Sequence, residues 1–284
     1  MKIFNQITVN ISILNEENNI GDCIKSIKNC GINKIIVIDG GSIDKSISIV
    51  KKNKIKCYVK KNKGLGFQRS VGIKHSKTKY IAIIDADHRP TKKVFLRLLK
   101  DLKKFNYSGI QPNLIQKKNL NYFQKSYQAL NDINVNKNGP RDVIGTPSLW
   151  NGKIIKSINY NKKITAGSDD TELCIRLKRK GFVVGGSSIK VQTLYRHKFS
   201  QYLKKFLWYG KGDAQLIRIN PNMFLSLIKH QLFNYPIKYS LISLRKFEIF
   251  PIPFFIFAGY IRFIGMMLEF IRDFLNIKEK IYST

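Results

Sequence analysis

Two aspartates that are one residue apart, Asp85 and Asp87, directly follow an uninterrupted apolar run from Tyr80 to Ile84. Such a run is typical of a strand that is buried on both faces of a sheet. Residues i and i+2 of an extended chain point to the same side, so the two carboxylates can converge on one hard cation that also binds phosphate oxygens. The pattern therefore suits a diphosphate site. A plain strand end before a helix at Thr91 explains the same residues, and for this stretch alone it is the better explanation.

The first half of the sequence alternates apolar runs with amphipathic stretches. Strands are predicted at residues 8–14, 34–38, 55–59 and 80–84, with helices between them. This alternation predicts an α/β fold with a mostly parallel central sheet flanked by helices, in which ligands bind at the carboxyl ends of the strands. The polar residues at or near those ends are Asn15, Glu16, Asp39, Asp44, Arg69, Asp85 and Asp87.

The turn after the second predicted strand reads Asp39-Gly-Gly-Ser-Ile-Asp44. Its glycines would let the backbone approach a ligand, and Asp39 could accept hydrogen bonds from a base edge or a ribose hydroxyl. In isolation, a tight turn that uses Asp, Gly and Ser for local hydrogen bonds explains the stretch better. Because neither GxGxxG nor GxxxxGK[ST] is present, the sequence supports neither a dinucleotide-binding Rossmann domain nor a P-loop enzyme.

A later helix is predicted from Asp169 to about Gly181. Asp169 and Glu172 fit a capping box, and Gly181 fits the C-terminal cap. Asp170 suits the helix dipole but is not needed for capping. A carboxylate at the start of this helix could therefore serve as a general base.

Five short motifs follow one another in the chain: Asn15-Glu16, Asp39-Gly-Gly-Ser-Ile-Asp44, Asn62-x-Gly64 with Arg69 and Gly72, Asp85-Ala-Asp87, and Asp169-Asp170-Thr-Glu-Leu-Cys-Ile-Arg-Leu. In this order and spacing, from about residue 7 to about residue 213, the sequence resembles glycosyltransferase family 2, the inverting transferases of the GT-A fold. Three positions depart from the family pattern. Ile13-Leu14 replace a Pro, Gly40 replaces a second Asp, and Asp169 replaces a Glu.

The resemblance implies a role for each motif. Asp39 would contact the nucleobase, with Asn15 and Glu16 near the ribose. Mg²⁺ or Mn²⁺ would be held by Asp85 and Asp87, with His197 as a further candidate ligand. Asp170 would be the catalytic base, with Asp169 as the other candidate. The implied donor-binding residues are Asn15, Glu16, Asp39, Gly41, Ser42, Asp44, Arg69 and Asp85.

The composition is strongly basic, with 51 Lys and Arg against 18 Asp and Glu, a formal net charge of +33. Nucleic acid, an anionic membrane surface and phosphorylated substrates are all partners that suit this charge. The lysines are spread over the whole chain, without an arginine-rich arm or an aromatic-studded basic repeat, so a nucleic-acid partner is not expected. The four cysteines lack metal spacing and suit a reducing compartment, and the start lacks a signal-like pattern, which predicts a cytoplasmic protein.

The C-terminal part is apolar from Ile249 to Ile261 and again from Phe263 to Leu268. With Arg262 and two prolines inside, it just reaches the length of a membrane span, and a buried or interface-lying helical hairpin is equally compatible. Basic residues flank or interrupt its apolar stretches, namely Lys229, Lys238, Arg245, Lys246, Arg262 and Arg272. We expect a GT-A catalytic domain at 1–215 and, at 216–284, a helical extension attached peripherally to the inner face of the cell membrane.

The predicted function is metal-assisted, inverting transfer of a sugar from a UDP-, GDP- or dTDP-sugar to a hydroxyl of a lipid-linked or surface-glycan acceptor in polysaccharide biosynthesis. Two other classes stay open. One is a catalytically inactive glycan-binding or scaffold protein of the same fold. The other is a basic nucleic-acid-binding protein, which would leave the carboxylates at the strand ends unexplained because acids in a binding groove repel phosphate.

Overall fold

The computed structural model describes residues 3–116 and 119–275. By its internal packing the chain forms two compact units. The first comprises Met1–Lys117, Asn134–Lys162 and Asp170–Leu194, and the second comprises Lys118–Ile133, Lys163–Asp169 and Tyr195–Thr284. Each unit is therefore built from several separate stretches of the chain. The boundary at residue 215 between a catalytic domain and a C-terminal extension stays a prediction.

A nine-stranded sheet lies at the centre of the first unit. Its strands are β1 (Ile7–Ile13), β2 (Ile35–Asp39), β3 (Lys56–Val59), β4 (Tyr80–Asp85), β5 (His88–Arg89), β6 (Gly109–Ile115), β7 (Gly139–Arg141), β8 (Ser148–Asn151) and β9 (Val184–Thr193). The helices of this unit are α1 (Ile20–Asn29), α2 (Ser46–Lys52), α3 (Leu65–His75), α4 (Lys92–Lys104), α6 (Gly152–Ile158) and α7, which begins at Asp169 and ends at Arg179.

The strands are ordered β3-β2-β1-β4-β8-β6-β9-β5, and β7 pairs with β9. The four strands β3, β2, β1 and β4 are parallel to one another. Beyond them the sheet is mixed, because β8 is antiparallel to β4 and β6, while β5 and β7 are antiparallel to β9. In this second part β6 and β9 are again parallel, and over the whole sheet the register pairs between parallel strands outnumber those between antiparallel strands. The predicted mostly parallel central sheet is therefore confirmed, with short antiparallel pairings added at one side.

The register of the parallel strands brings the predicted site residues to one edge. Ile13 at the end of β1 lies beside Asp39 at the end of β2, and Ser12 lies beside Asp85 at the end of β4. Since parallel strands end at the same edge of a sheet, the loops that follow them share that edge.

Two apolar layers cover the two faces of the sheet. Along β4, Ala82 and Ile84 belong to one buried cluster, whereas Ile81 and Ile83 belong to the other. This alternation is the two-residue period of a strand that is buried on both sides. On α1, Ile20, Cys23, Ile24 and Ile27 are fully buried in the first cluster, which is the face that their i, i+3, i+4, i+7 spacing predicts.

Strand β9 is the main difference from the expected elements. It begins at Val184 and ends at Thr193, beyond the four strands predicted in the first half of the sequence. Gly185 and Gly186 resemble a turn signal in the sequence, yet here they lie inside the strand. A Cβ on Gly185 would lie 2.2 Å from the ring of Tyr107, so glycine allows that ring to pack on the strand.

The second unit is helical and has its own aromatic core. It contains α5 (Tyr122–Asn134), α8 (Phe199–Ile219), α9 (Phe224–Lys229), a wide π-type helix (His230–Tyr239), α10 (Ser240–Leu244) and α11 (Ile252–Phe274). Tyr202, Phe206, Tyr235, Phe254 and Phe255 are buried together at its centre. By length and composition α11 could cross a bilayer.

Candidate active site

Arg69 of α3 joins the two carboxylates that the sequence predicts to do the chemistry. Its Nη2 lies 3.3 Å from Asp85 Oδ1, and its Nη1 lies 2.9 Å from Asp170 Oδ2. The Arg69 side chain is only 3% exposed, so both ion pairs are made by a buried guanidinium. A planar guanidinium holds its partners in a fixed fork, and Asp85 and Asp170 are therefore held on either side of one cation.

Asp170 accepts a hydrogen bond on each carboxylate oxygen. The Tyr160 hydroxyl donates a hydrogen bond to Oδ1 at 2.7 Å, and Arg69 donates a hydrogen bond to Oδ2. A carboxylate has about four lone-pair sites, so both oxygens keep a site for a further donor. The Asp170 side chain is 20% exposed, and a hydroxyl from solvent or substrate can reach it.

Asp169 and Asp170 differ sharply in exposure. Asp169 is buried, with 2% of its surface exposed, whereas Asp170 is open to solvent. The predicted capping box is not what the helix uses. Helix α7 begins at Asp169 itself, and the carboxylate of Glu172 accepts two hydrogen bonds from Arg176, each 2.7 Å long.

Asp85 at the end of β4 is held by one donor from helix α3 and one donor from the loop that precedes β8. Its Oδ1 faces Arg69, and its Oδ2 accepts a hydrogen bond from the Thr146 hydroxyl. Burial acts to raise the pKa of Asp85, but the charge of Arg69 and the hydrogen bonds from Thr146 and Arg69 outweigh it and hold that pKa below its usual value. The Asp85 carboxylate is therefore ionised at neutral pH.

Asp85, Asp87 and His88 present ligand atoms that all lie within 4.8 Å of one another. Asp87 Oδ1 is buried and accepts no hydrogen bond from any residue that the structure describes. His88 Nδ1 lies 3.1 Å from that oxygen, but it is also 3.2 Å from the backbone N–H of Asp85. When Nδ1 accepts that hydrogen bond, two lone pairs face each other. A buried oxygen without a donor, beside a nitrogen lone pair and a second carboxylate, fits a divalent cation such as Mg²⁺ or Mn²⁺.

The loops after β1 and β2 are hydrogen-bonded to each other. The Asn15 N–H donates to Ser42 Oγ at 2.9 Å, and Asn15 Oδ1 accepts from the backbone N–H of Ile43 at 3.0 Å. The Glu16 N–H donates to Ser46 Oγ at 2.7 Å. These contacts bring the predicted residues of the two motifs together and fix the edge at which a nucleotide would lie.

Asp44 belongs to the same pair of loops. Its carboxylate accepts hydrogen bonds from the backbone N–H groups of Glu17 and Ser46, at 3.0 and 2.9 Å. Partial burial opposes ionisation, but these hydrogen bonds prevail and keep the pKa of Asp44 below its usual value. Asp44 therefore braces the two loops as an ionised side chain.

Asp39 is fully buried, and its carboxylate is used within its own turn. Oδ1 accepts from the backbone N–H groups of Gly41 and Ser42 at 2.8 and 2.9 Å, and Oδ2 accepts from the Ser42 hydroxyl. The Gln68 side chain occupies the space above Gly40, because a Cβ at that position would lie 2.5 Å from Gln68 Nε2. Contact of Asp39 with a nucleobase stays a prediction.

His197 lies in the second unit, where it is exposed and held by the chain around it. Its Nδ1 is 3.0 Å from Gln124 Nε2, and its backbone carbonyl accepts from Asn121 at 2.9 Å. The group of neighbouring potential ligands in the described part of the chain contains His88 and not His197. A metal contact of His197 stays a prediction.

The structure adds three residues that the sequence analysis missed: Tyr160, Thr146 and His88. Tyr160 and Thr146 lie in irregular segments whose spacing to Asp170 and Asp85 has no regular period. His88 is next to Asp87 and was the most accessible of the three from sequence, because a His beside a pair of strand-end aspartates can be a metal ligand.

Comparisons with known proteins identify the family and the fold. The family model described as glycosyl transferase family 2 matches residues 8–170, more than half of the chain. The fold is similar to that of glucosyl-3-phosphoglycerate synthase from Mycobacterium tuberculosis in complex with phosphoglyceric acid, with a TM-score of 0.57 and 15% sequence identity over 76% of this chain and 80% of that chain. It is also similar to TarS 1–349 from S. aureus, with a TM-score of 0.51 and 11% identity over 97% of this chain and 93% of that chain.

A curated relative, the uncharacterized protein MJ1222 of Methanocaldococcus jannaschii, is 41% identical over 91 residues. This match covers 30% of the present chain and 37% of the relative, well under two thirds of that protein's length. The structural similarities confirm the expected GT-A architecture, and the family model covers the segment from β1 to Asp170 that builds the site. The chain therefore belongs to glycosyl transferase family 2.

Proposed function

We propose that this protein is an inverting glycosyltransferase that moves a sugar from a nucleotide-diphosphate donor to an acceptor hydroxyl, with Asp170 as the general base. The observation that carries the proposal is the bridge made by Arg69 between Asp85 and Asp170. The Asp85 end of this bridge suits a metal-bound diphosphate, and the Asp170 end suits an acceptor hydroxyl. The reacting atoms would lie between them.

The donor diphosphate is bound at the edge formed by the β1, β2 and β4 loops. Asp85, Asp87 and His88 would hold Mg²⁺ or Mn²⁺, which when bound offsets negative charge on the diphosphate. Arg69 adds a positive charge at the same place. The M. tuberculosis synthase has been crystallised with Mn²⁺, UDP and glucosyl-3-phosphoglycerate, and also with Mg²⁺ and UDP, which supports this class of donor.

The residues around Asp170 suit a single displacement. The acceptor oxygen forms a bond to the anomeric carbon as the bond from that carbon to the diphosphate oxygen breaks. The acceptor proton passes to a free lone pair of Asp170, and the leaving diphosphate takes the bonding electrons. Tyr160 and Arg69 keep the carboxylate oriented during this transfer. A single displacement inverts the anomeric configuration and needs no nucleophilic side chain.

The acceptor in this proposal is a lipid-linked or surface glycan, reached from the cytoplasmic face of the membrane. The support is the basic and apolar character of the C-terminal part, which suits an anionic leaflet. The predicted contact of Arg262 with the membrane is wrong, because Arg262 is paired with the fully buried Asp213 and does not face lipid.

The first test is a thermal-shift screen of the full chain against UDP, GDP, CDP and dTDP, each with and without Mn²⁺. We expect one nucleotide to stabilise the protein in a metal-dependent way, by about 2.7 kcal/mol at a hundredfold excess over Kd. Asp85→Ala should abolish this shift. Asp22→Ala changes an aspartate that is 76% exposed and should leave the shift intact.

The second test follows transfer from the donor sugars of the stabilising nucleotide to a lipid extract, with the anomeric configuration of the product read by NMR. Inversion is expected. Retained configuration would refute the single displacement, and a metal-dependent nucleotide shift without any transfer would favour a non-catalytic binding protein. Salt-sensitive retention on DNA that persists with chelator and in Asp85→Ala would favour a nucleic-acid-binding protein.

A further inference from the structure

Helix α11 has the composition of a membrane span, yet one side of it is part of the core of the second unit. Its buried residues are Phe254, Phe255, Ala258, Gly259, Gly265, Met266 and Glu269. The backbones of α8 and α11 touch, since a Cβ on Gly210 would lie 2.0 Å from the Arg262 carbonyl oxygen. A Cβ on Gly265 would lie 2.4 Å from the Leu207 carbonyl oxygen. This packing leaves no room for lipid between the two helices.

A buried ion pair fastens the middle of α11. Arg262 Nε and Nη2 lie 2.5 and 2.8 Å from the two carboxylate oxygens of Asp213 on α8, and the Asp213 side chain is fully buried. Burial alone would lower the pKa of Arg262, but the charge of Asp213 outweighs burial and raises it. Moving α11 into a bilayer would take the positive partner away from a buried carboxylate. Helix α11 is therefore a packing element of this unit.

Another helical segment of the same unit has an apolar face that is exposed in the described part of the chain. The π-type helix and α10 follow each other without a break from His230 to Leu244. Their exposed apolar residues, called here the apolar stripe, are spaced at four, four and three positions: Phe233, Ile237, Leu241 and Leu244. This spacing places them along one side of the helix, while Gln231, Tyr235 and Tyr239 point into the unit.

The surroundings of the stripe are basic. Lys229, Lys238, Arg245 and Lys246 are all exposed. Glu248 is the one acidic residue of the sequence between residues 221 and 251. An apolar stripe with cationic flanks complements a lipid leaflet that has acyl chains below anionic headgroups.

The stripe ends in a rigid turn that presents Phe247. The N–H of Glu248 donates to the Ser243 carbonyl at 3.0 Å, and the N–H of Phe247 donates to the Leu244 carbonyl at 2.9 Å. This is the Schellman pattern, in which the left-handed position usually holds glycine. Phe247 has φ 59° there and is 95% exposed. A bulky residue in this conformation costs stability in the folded chain, and the 95% exposed ring gains little from packing against the residues that the structure describes.

We infer that Phe247 and the apolar stripe form the lipid-contacting surface of the protein, with Arg245 and Lys246 on anionic headgroups. Phe247 inserts below the headgroups while α11 stays packed against α8. This inference rests on the proposed membrane attachment and is independent of the proposed catalysis. The occupant is an anionic lipid leaflet, because a continuous row of Phe, Ile and Leu side chains with cationic flanks suits acyl chains below anionic headgroups.

The decisive variant is Phe247→Gly in the full chain. Glycine is the residue that this turn favours, so the melting temperature should be equal to or higher than that of the wild type. Co-sedimentation with vesicles of equal phosphatidylcholine and phosphatidylglycerol should weaken about tenfold or more, the effect of withdrawing one phenyl ring from an apolar phase. Phe105→Ala removes a ring of the first unit that is 51% exposed and serves as the matched control, with unchanged binding expected.

A second variant, Arg245→Gln with Lys246→Gln, should weaken binding to the anionic vesicles and have little effect on the weak binding to pure phosphatidylcholine. The inference is wrong if the wild type does not sediment with anionic vesicles, or if Phe247→Gly binds as the wild type does. It is also wrong if Phe105→Ala loses as much binding. Retention on duplex DNA that needs Arg245 and Lys246 but not Phe247 would assign the basic residues to nucleic acid instead. The metal-dependent nucleotide shift of Phe247→Gly should match the wild type, which separates this test from that of the transferase.

Discussion

At the scale of single residues, Arg69 is the centre of the candidate site. One buried guanidinium contacts the carboxylate that follows β4 and the carboxylate at the start of α7. These two groups are 85 positions apart in the chain, and a shared cation fixes their separation without a direct contact between them. One side chain thus sets the distance between the proposed donor-binding carboxylate and the proposed catalytic base.

Asp170→Asn tests the base directly. The asparagine keeps an oxygen for Arg69 or Tyr160 but removes the proton acceptor, so we expect kcat to fall by about 10²- to 10⁴-fold. Nucleotide stabilisation should persist, which the thermal-shift assay measures. Wild-type turnover in this variant, together with loss of turnover in Asp169→Asn, would assign the base to Asp169.

Thr146→Val tests how Asp85 is kept ionised. Loss of the hydroxyl moves the pKa of Asp85 up toward its unfolded value, so the variant should be less stable at pH 7 by about 1 kcal/mol, a value reduced for the solvent exposure of Asp85. A lowered folded pKa gives stability that is present above the unfolded pKa and is lost as the pH falls through the folded pKa. The difference between variant and wild type should therefore shrink below about pH 4.

Urea unfolding at several pH values measures this difference. A gap between Thr146→Val and wild type that stays constant down to pH 2 would show that the hydroxyl contributes packing and not charge stabilisation. Ser148→Ala removes a nearby buried hydroxyl that does not contact Asp85, and it serves as the control.

The carboxylates could be predicted from sequence because strand ends have a local signature. Asp85, Asp87 and Asp39 follow apolar runs, and parallel strands must end together. Tyr160 and Thr146 could not be predicted, because their positions depend on how the segments after β6 fold back over β4. A tight turn with local hydrogen bonds was the simpler explanation of the Asp39 motif. The hydrogen bonds that Ser42 donates to the buried Asp39 carboxylate fit this explanation.

At the scale of elements, α8 and α11 form the firmest contact of the second unit. Their backbones meet at Gly210 and Gly265, and the Asp213–Arg262 pair lies beside that contact. From sequence, α11 resembles a transmembrane helix. Hydropathy alone does not reveal that one side of this helix packs against other helices of the protein. The position of Arg262 within the apolar run indicates that this helix needs an acidic partner in the protein interior.

Arg262→Leu should destabilise the protein by about 3–5 kcal/mol, because it leaves the buried Asp213 carboxylate without its cation. The double variant Asp213→Leu with Arg262→Leu removes both charges and should recover a large part of that loss. Chemical denaturation of the two variants and the wild type measures the difference. Equal stability of the single and double variants would mean that the loss does not come from leaving the buried Asp213 carboxylate without its cation.

At the scale of the whole molecule, the net charge of +33 acts over distances longer than any single contact. It attracts anionic surfaces and nucleotide donors alike. The two effects should separate with salt, because raising the ionic strength from about 0.1 to 1 M shortens the Debye length from about 10 to 3 Å.

We expect 1 M NaCl to release most of the wild-type protein from anionic vesicles, since the attraction acts through exposed lysines and arginines. The metal-dependent nucleotide shift should lose much less, because Arg69 and Asp85 are partly or fully shielded from solvent. Co-sedimentation and thermal shift at both salt concentrations check this. Full retention on vesicles at 1 M NaCl would indicate an attachment dominated by apolar insertion.

The side chain of Gln68 that fills the space above Gly40 constrains how this sequence can evolve. An aspartate introduced at position 40 would bring its Cβ against Nε2 at the end of the buried Gln68 side chain, which would have to turn aside. A change at position 40 therefore also changes where the Gln68 amide lies, and we expect the residue types at these two positions to vary together in related sequences.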